Sequence, residues 1–440
     1  MIGKRLSISG IVQGVGFRPF VYTHAVKNNL TGWVRNTSAG VEIEVNGQDA
    51  AVEAFIRAFK TNLPPLARID TFHLEDCLPA AYKTFEIIAS QALAGDFIPI
   101  SPDMTICPDC QAELFDPADR RYHYAFINCT NCGPRFTIIK DIPYDRPLTT
   151  MADFELCDNC RDEYENPLDR RFHAQPVACP VCGPQVSFSN HDSMVEQAEN
   201  ALQRARQEIK AGKVLAIKGL GGYHLACDAF NPEALKILRD RKKRSDKAFA
   251  LMAFDINIIE KYCRLSPQER DLLLSPQRPI VLLEKKTAAG FPEEIAPGQN
   301  SIGIMLAYTP LHLLLLEPEK DYPELLVMTS GNLSEEPIAY QDDDANRRLN
   351  QLADAFLTHN RPIHMRVDDS VARIVDGSPY IIRRARGYAP DPLVLTEKMP
   401  SILATGAELK NTFCLTKDHY AFISHHIGDL ENQETLKSYE

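Results

Sequence analysis

Cys107-Pro-Asp-Cys110, Cys129-Thr-Asn-Cys132, Cys157-Asp-Asn-Cys160 and Cys179-Pro-Val-Cys182 lie in the middle of the chain, and their reading decides how the rest divides. The gaps between successive pairs are 18, 24 and 18 residues. Residues 107–134 recur 50 positions later as 157–184. Pro117, Asp119, Arg120, Arg121, His123, Gly133 and Pro134 return as Pro167, Asp169, Arg170, Arg171, His173, Gly183 and Pro184. A Cys-x-x-Cys turn presents two sulfurs to one ion, and tetrahedral zinc takes four thiolates. Eight cysteines in a duplicated frame therefore predict two closed sites holding two structural zinc ions. Zinc supplies the folding free energy that a short segment with few large apolar residues lacks. The repeat favours one zinc per unit. Interleaved pairing, first turn with fourth and second with third, stays open. Redox use calls for one pair in a thioredoxin-like frame, and a disulfide framework calls for an oxidising compartment.

Before this segment, residues 1–91 alternate strand and helix signals. Lys4–Val12 reads as a strand, Phe17–Asn29 as a helix, and Trp33–Thr37 and Val41–Val45 as strands. Ala50–Thr61 has helical spacing of Val52, Phe55, Ile56 and Phe59, and Ile69–Leu74 and Thr84–Ile88 close the pattern as strands. This βαββαβ order predicts a ferredoxin-like sandwich. In Gly10-Ile-Val-Gln-Gly-Val-Gly-Phe-Arg18, Gly14 and Gly16 join a strand to a helix. Such a loop turns successive N–H groups inward at a helix N-terminus, and Arg18 adds a fork matched to phosphate oxygens. Gln13, Gly14, Val15, Gly16 and Phe17 form the expected phosphate cradle. Asn36 is placed to orient a water. Both side chains are expected at the mouth of a loop, where their removal leaves the fold intact.

The run Val12-Gln-Gly-Val-Gly-Phe-Arg18, with Gly32-Trp-Val-Arg-Asn36 and Gly40-Val-Glu-Ile43, resembles the acylphosphatases. That resemblance implies that Arg18 binds an acyl-phosphate and Asn36 positions the attacking water. It also implies that residues 1–90 hydrolyse acyl-phosphates by themselves, untouched by loss of a zinc cysteine.

Ala92–Thr105 reads as a linker and residues 105–186 as the zinc-finger domain. Asp119-Arg-Arg and Asp169-Arg-Arg read as salt-bridged loops holding each unit together. Residues 194–385 read as a larger α/β domain. Met194–Ala211 is a predicted amphipathic helix, Val214–Lys218 a strand, Gly219-Leu-Gly-Gly222 a flexible turn and Ala234–Lys243 a helix. Phe249–Phe254, Ile280–Leu283, Ile302–Met305 and Leu325–Thr329 read as strands, and Leu311–Leu316 as a short helix. The basic run Arg239, Arg241, Lys242, Lys243 and Arg244, followed by Lys247, gathers cations at one strand edge, where phosphates bind well. Tyr223-His-Leu-Ala-Cys-Asp228, Lys242-Lys-Arg-Ser-Asp-Lys247, Thr309-Pro-Leu-His312 and Thr329-Ser-Gly-Asn-Leu-Ser334 resemble the YrdC-like family. By that resemblance Lys242, Arg244, Lys247, Ser330 and Asn332 belong to a site for ATP and a carbamoyl-type adenylate. The Gly219–Gly222 turn replaces a threonine-rich stretch of the family's stand-alone members, which argues against threonine as the acyl donor.

Arg383-Arg-Ala-Arg-Gly-Tyr388 reads as a basic connector. Residues 386–440, with Leu403–Lys410 and Ser424-His-His-Ile-Gly-Asp429, resemble the start of an O-sialoglycoprotease-like ASKHA domain, within which the chain is expected to end. The His-x-x-x-His spacing of that family does not occur here.

The chain has 440 residues, 44% of them hydrophobic and 24% charged, and a net charge of −11. That length predicts several domains. The charge argues against nucleic acid as a partner. No apolar run reaches the length of a membrane span, and the N-terminus has no apolar leader, so a cytoplasmic location is expected. Cys77, Cys227, Cys263 and Cys414 read as buried thiols.

The fold class is thus α+β multidomain: a ferredoxin-like acylphosphatase sandwich, a double four-cysteine zinc-finger segment, a YrdC-like α/β domain and a partial ASKHA-like domain. This order resembles the HypF family of hydrogenase-maturation carbamoyltransferases. The resemblance implies carbamoyl phosphate and ATP, with Mg2+, as substrates, and the C-terminal cysteine of HypE as acceptor. Two alternatives remain: a YrdC-type threonylcarbamoyl-adenylate synthase for tRNA modification, and a zinc-dependent binding module resembling the DnaJ cysteine-rich segment.

Overall fold

The computed structural model describes residues 1–91, 99–190, 195–333 and 336–439. Residues 92–98 of the predicted linker, Met194 of the predicted helix and Ser334 of the Thr329–Ser334 run lie outside the described residues. Contacts divide the chain into two compact units. One comprises Met1–Ser101, Cys107–Cys110 and Ile127–Gly183, the other Pro102–Ile106, Gln111–Phe126 and Pro184–Glu440.

The first unit begins with β1 (Ile2–Ile11), α1 (Phe17–Lys27), β2 (Thr31–Thr37), β3 (Gly40–Gly47), α2 (Asp49–Thr61), β4 (Arg68–Cys77) and β5 (Phe85–Ile87). The sheet order is β4-β1-β3-β2-β5, antiparallel except where β5 runs parallel to β2. Period-two alternation turns Leu6 and Ile8 of β1, and Val34 of β2, onto the helices. Val52, Phe55 and Phe59, at helical spacing on α2, meet them with Val21 and Ala25 of α1. Each such buried side chain contributes roughly 1.5–3 kcal/mol, so the sandwich has a core of its own without metal. The Cys107 and Cys157 turns lead into two short helices, α3 (Pro108–Leu114) and α4 (Asp158–Glu165).

The second unit continues with β6 (Val186–Asn190), β7 (Val195–Gln197), α5 (Ala198–Lys210), β8 (Leu215–Lys218), β9 (Tyr223–Asp228), α6 (Pro232–Lys242), β10 (Ala250–Ala253), α7 (Ile256–Tyr262), β11 (Cys263–Arg264), α8 (Pro267–Leu274) and β12 (Ile280–Lys285). It goes on through β13 (Ser301–Leu306), α9 (Pro310–Leu316), β14 (Leu325–Ser330), α10 (Asp342–Leu349), β15 (Ala355–His359), β16 (Val371–Val375) and β17 (Ser378–Arg383). These strands form one mixed sheet, β17-β16-β12-β13-β10-β14-β9-β8-β15-β6-β7, with β11 beside β12. Every residue of the interior strand β8 is buried, as is expected of a strand covered on both faces. β18 (Leu393–Met399), β19 (Leu403–Ala404) and β20 (Cys414–Ile423) form a separate sheet in the order β18-β20-β19. Among the described residues no helix is long and apolar enough to cross a membrane.

Several expectations change. The start of the predicted Met194–Ala211 helix is strand β7, which pairs with β6, and the helix proper begins at Ala198. The Gly219–Gly222 turn is packed, not flexible. It closes on itself through Gly219 N–H to Gly222 O at 2.8 Å. A Cβ on Gly221 would lie 2.3 Å from Val367 Cγ1 and 2.4 Å from Val367 O. The basic connector is in part interior: Arg386 is buried, donating from Nε to Asp369 Oδ1 at 2.7 Å and from both terminal nitrogens to the carbonyls of Gln277 and Arg278. Of the scattered cysteines Cys227 and Cys263 are buried, whereas Cys77 and Cys414 are half-exposed.

The close approach at Gly221 gives a first prediction. Gly221→Ala forces the Val367 backbone away and destabilises the second unit by about 1–3 kcal/mol, the usual cost of overpacking. Denaturant unfolding followed in that unit checks it; an unchanged midpoint contradicts it.

Candidate functional site

The loop between β1 and α1 is held open by glycine. Gly14 and Gly16 have φ of 71° and 75°, in the left-handed region. Crowding adds to the requirement. A Cβ on Gly14 would lie 3.0 Å from the Tyr144 ring, and one on Gly16 3.2 Å from Thr130 Oγ1. Gly16 caps α1 without a side-chain hydrogen bond, so the first-turn N–H groups face the loop. Gln13 does a different job from the one expected. Its Nε2 donates to Thr37 O at 2.8 Å and Gly40 O at 2.9 Å, and its Oε1 accepts from Tyr144 N–H at 3.1 Å. The side chain thus fixes the loop. Val15 is in the core, so only its backbone is available to a ligand.

Arg18 and Asn36 are brought together. With the Asn36 amide turned so that its oxygen faces Arg18, that oxygen accepts from Nη2 at 3.1 Å and Nε at 3.2 Å. Arg18 Nη2 also reaches Asp145 Oδ1 at 3.0 Å. The two side chains were expected at an exposed mouth, but Arg18 is 8% exposed and Asn36 1%. A buried guanidinium requires partners, and Asp145 supplies the counter-charge. Removal of Arg18 therefore leaves the buried Asn36 amide and the Asp145 carboxylate without this partner, and the expectation of an unaffected fold is corrected for this residue.

The finger segment lines this cleft. Thr130, Arg135, Tyr144, His173 and Gln175 face Gly14, Gly16 and Arg18 across a narrow space. Arg135, fully buried, donates from Nε to Gly14 O, from Nη1 to Cys132 O and Pro134 O, and from Nη2 to Thr130 O. It ties the Cys129–Cys132 turn directly to the cradle. Sequence reasoning missed it, although Arg135 breaks the repeat: Gln185 stands at the matching position. The cleft is thus lined by residues of the finger segment as well as by residues 1–90.

The eight cysteines form two clusters, Cys107/Cys110/Cys129/Cys132 and Cys157/Cys160/Cys179/Cys182. Each repeat thus closes its own site. Sulfur separations are 3.7 Å for Cys107–Cys129, 3.8 Å for Cys129–Cys132 and 3.6 Å for Cys110–Cys132. In the second cluster Cys157–Cys179 is 3.7 Å and Cys179–Cys182 3.8 Å. A tetrahedron with Zn–S of about 2.3 Å has edges of about 3.8 Å, so the sulfurs fit zinc and are too far apart for disulfides. The Asp-Arg-Arg loops do not simply hold each unit to itself. Asp119 and Asp169 cap the N–H groups of Arg121 and Arg171. Arg170 of the second repeat donates to Cys110 Sγ of the first at 3.2 Å, and Arg171 Nε donates to Asn128 O at 3.2 Å.

In the second unit a cavity of about 310 Å3 is lined by Arg244, Lys247, Arg383, Thr329 and Ser330, with Phe249 and also His224, Asp368 and Asp369. Burial, then Arg239 and Arg383, brings the Arg244 pKa down to about 10. Burial, then the charges of Arg244 and Arg383, lowers that of Lys247. Crowded cations of this kind favour an anion. Asp369 is fixed by Arg386 and pairs with His224 Nε2 at 2.9 Å.

Lys242 and Asn332 are not among the lining residues. Lys242 is buried, its Nζ donating to Ser330 O at 2.7 Å, Asn332 O at 2.6 Å and Asn332 Oδ1 at 3.0 Å. Ser330 Oγ donates to Asn332 Oδ1 at 2.7 Å. Lys242 thus secures the loop after β14 and sets Ser330 at the cavity wall. Arg239 is likewise spent on the carbonyls of Glu294, Arg244 and Ser245.

A glycine-built loop at a helix N-terminus, two four-thiolate clusters and a cation-lined α/β cavity characterise a multidomain protein. Family comparisons agree segment by segment. Residues 4–87 match Acylphosphatase, 106–139 and 156–189 the HypF finger, 207–385 the Sua5/YciO/YrdC family described as Telomere recombination, and 397–440 the HypF Kae1-like domain. Carbamoyltransferase HypF of Synechocystis sp. is 48% identical over 437 residues, 99% of this chain and 56% of that protein. Acylphosphatase of Alcanivorax borkumensis is 42% identical over 77 residues, 17% of this chain and 83% of that protein. A crystal structure of full-length HypF in the phosphate- and nucleotide-bound form superposes with a TM-score of 0.96 at 51% identity, covering 100% of this chain and 57% of that one. The chain belongs to the HypF family, and it spans little more than half the length of these HypF relatives.

The second prediction concerns the metal. Purified protein contains two zinc ions per chain, and Cys110→Ser reduces this to one. Because Arg135 couples that finger to Gly14, the same variant also loosens the loop between β1 and α1. Metal analysis and amide hydrogen exchange in that loop check the two statements separately.

Proposed function

We propose that this chain carries out the first two steps of a carbamoyl transfer. Carbamoyl phosphate binds with its phosphoryl group on the Gly14–Phe17 N–H groups and Arg18. Water held by Asn36 attacks phosphorus, the bond from phosphorus to the acyl oxygen breaks, and phosphate and carbamate leave. Carbamate then attacks the α-phosphorus of ATP, with Mg2+, in the cavity of the second unit, releasing pyrophosphate and leaving carbamoyl-adenylate. Arg244 and Lys247 face the phosphates there, Ser330 contributes a hydroxyl, and Lys242 with Asn332 hold Ser330 in place. The carbamoyl group is destined for the C-terminal cysteine of HypE, from which, after loss of water, its carbon and nitrogen pass on as the cyanide ligand on the iron of a [NiFe]-hydrogenase. A reducing cytoplasm suits the eight free thiolates this chain needs.

The observation that carries this reading is the cradle: two left-handed glycines at a helix N-terminus, with Arg18 hydrogen-bonded to Asn36. Its donors are set before substrate arrives, which is the arrangement that stabilises developing charge most cheaply. Carbamate is short-lived in water, so fusing its production and its activation in one chain limits its loss.

Asn36→Ala should lower kcat for carbamoyl phosphate about 100–1000-fold with little change in KM. Arg18→Ala should lose both affinity and rate. Phosphate release by the folded, zinc-loaded protein measures this, and wild-type rates in both variants would remove the cradle from the reaction. Arg244→Ala should suppress carbamate-dependent pyrophosphate exchange into ATP while leaving phosphate release intact; Lys242→Ala should weaken the same exchange through displacement of Ser330.

A further inference from the structure

The finger segment places two groups beside Arg18 that a phosphoryl group does not need: His173 in the lining of the cleft, and Asp145, which is not among the lining residues but is paired with Arg18 at its edge. Asp145 stands at the N-cap of the turn Arg146–Leu148, yet its carboxylate makes no capping hydrogen bond. It reaches Arg18 Nη2 at 3.0 Å instead, and its side chain keeps 27% exposure. His173 lines the same cleft. Its ring packs on Tyr164 and Phe172, and neither ring nitrogen is hydrogen-bonded among the described residues. Burial, then the charge of Arg18, lowers its pKa to about 4, so the ring is neutral near pH 7 and has one nitrogen free to accept.

A carboxylate beside a bound phosphoryl group repels it. Asp145 therefore weakens phosphate binding in itself, and a cleft built only for phosphate gains nothing from it beyond a counter-ion for Arg18. The position makes chemical sense when the acyl half of the substrate is considered. A carbamoyl group carries an amino nitrogen on its carbonyl carbon, with two N–H donors that an acetyl group lacks. A carboxylate and a neutral imidazole nitrogen are acceptors for such donors. A site built to pair with N–H groups rejects an analogue without them far better than an apolar pocket rejects a change of shape.

We propose that Asp145 and His173 form an acyl-group subsite that selects acyl-phosphates bearing N–H donors, carbamoyl phosphate over acetyl phosphate. This rests on the cradle being an acyl-phosphate site. The two residues touch substrate away from phosphorus, so their role is recognition.

The test compares kcat/KM for carbamoyl phosphate and acetyl phosphate in the full zinc-loaded chain. Asp145→Asn preserves shape, but its oxygen turns to Arg18 and its amide N–H donors then meet the amino group of the substrate. The preference for carbamoyl phosphate should fall about tenfold or more, the worth of one charged hydrogen bond. His173→Phe should reduce the preference several-fold, and His173→Gln, which keeps an acceptor, should restore part of it. Zinc content and thermal unfolding accompany every variant. A preference unchanged within about twofold in Asp145→Asn and His173→Phe overturns the proposal, whether both substrates slow together or neither does. Wild-type protein that hydrolyses acetyl phosphate as well as carbamoyl phosphate also overturns it, and leaves the cradle assignment standing. Wild-type protein that hydrolyses neither overturns the cradle assignment itself.

Discussion

A cation taken out of water must find partners, and this chain uses that requirement to fasten its loops. Arg135 is the plainest case. Its guanidinium is buried and donates to four backbone carbonyls, one on the loop between β1 and α1 and three around a cysteine turn. An unpaired charge there costs several kcal/mol, so cradle and finger cannot separate cheaply. Arg146 repeats the device on the carbonyls of Gln175, Val177 and Phe154. Lys242, Arg239 and Arg386 repeat it in the second unit. Each of these cations stands next to a loop and fixes it through carbonyl oxygens.

The consequence is a division of labour among neighbouring charges. In the second unit Arg239 and Lys242 hold backbone away from the cavity, whereas Arg244, which also holds the Lys247 and Ala248 carbonyls, and Lys247 line the cavity. In the first unit Arg135 and Arg18 both line the cleft, and Arg135 also holds backbone. Rigid support behind a charged group keeps it in place when substrate charge shifts, which is where such groups contribute most to rate. Arg18 itself is paired with Asp145 at 3.0 Å, so its position is set without substrate.

What the sequence disclosed was short in range. Cys-x-x-Cys spacing, the Gly14/Gly16 loop and most of the period-two or helical apolar patterns act over a few residues, and these features are present in the fold. The pairing within each repeat also agrees with the duplication, because the two sulfur pairs are carried on one folded unit. Contacts between distant segments were not legible. Nothing local to Asp145 announces Arg18, which lies 127 positions away. A basic run ordinarily faces solvent or phosphate, which makes Lys242 look like a ligand; only the fold shows it turned inward onto Ser330 and Asn332. The sequence does hold one further clue. Arg135 and Gln185 occupy equivalent places in the repeat and differ, and a repeat diverges where its copies have acquired different neighbours.

The same logic applies to the two histidines of the repeat. His123 and His173 share a left-handed backbone with φ of 54° in both copies, so that conformation belongs to the finger and not to a site. Their surroundings differ. In the second unit His123 lies 3.4 Å from a Glu199 oxygen and 3.5 Å from one of Glu317, an acidic setting. In the first unit His173 faces Arg18 in a cleft, where burial and a positive neighbour keep it neutral. Duplication thus delivered two imidazoles at the same backbone angle from two similar frames, into different surroundings. A histidine held by a metal-closed finger loses little further freedom when a ligand arrives. That is the physical advantage of a closed four-thiolate segment at the wall of this cleft: it provides side chains already in position where the small sandwich, whose own loop is built on glycine, has few to offer.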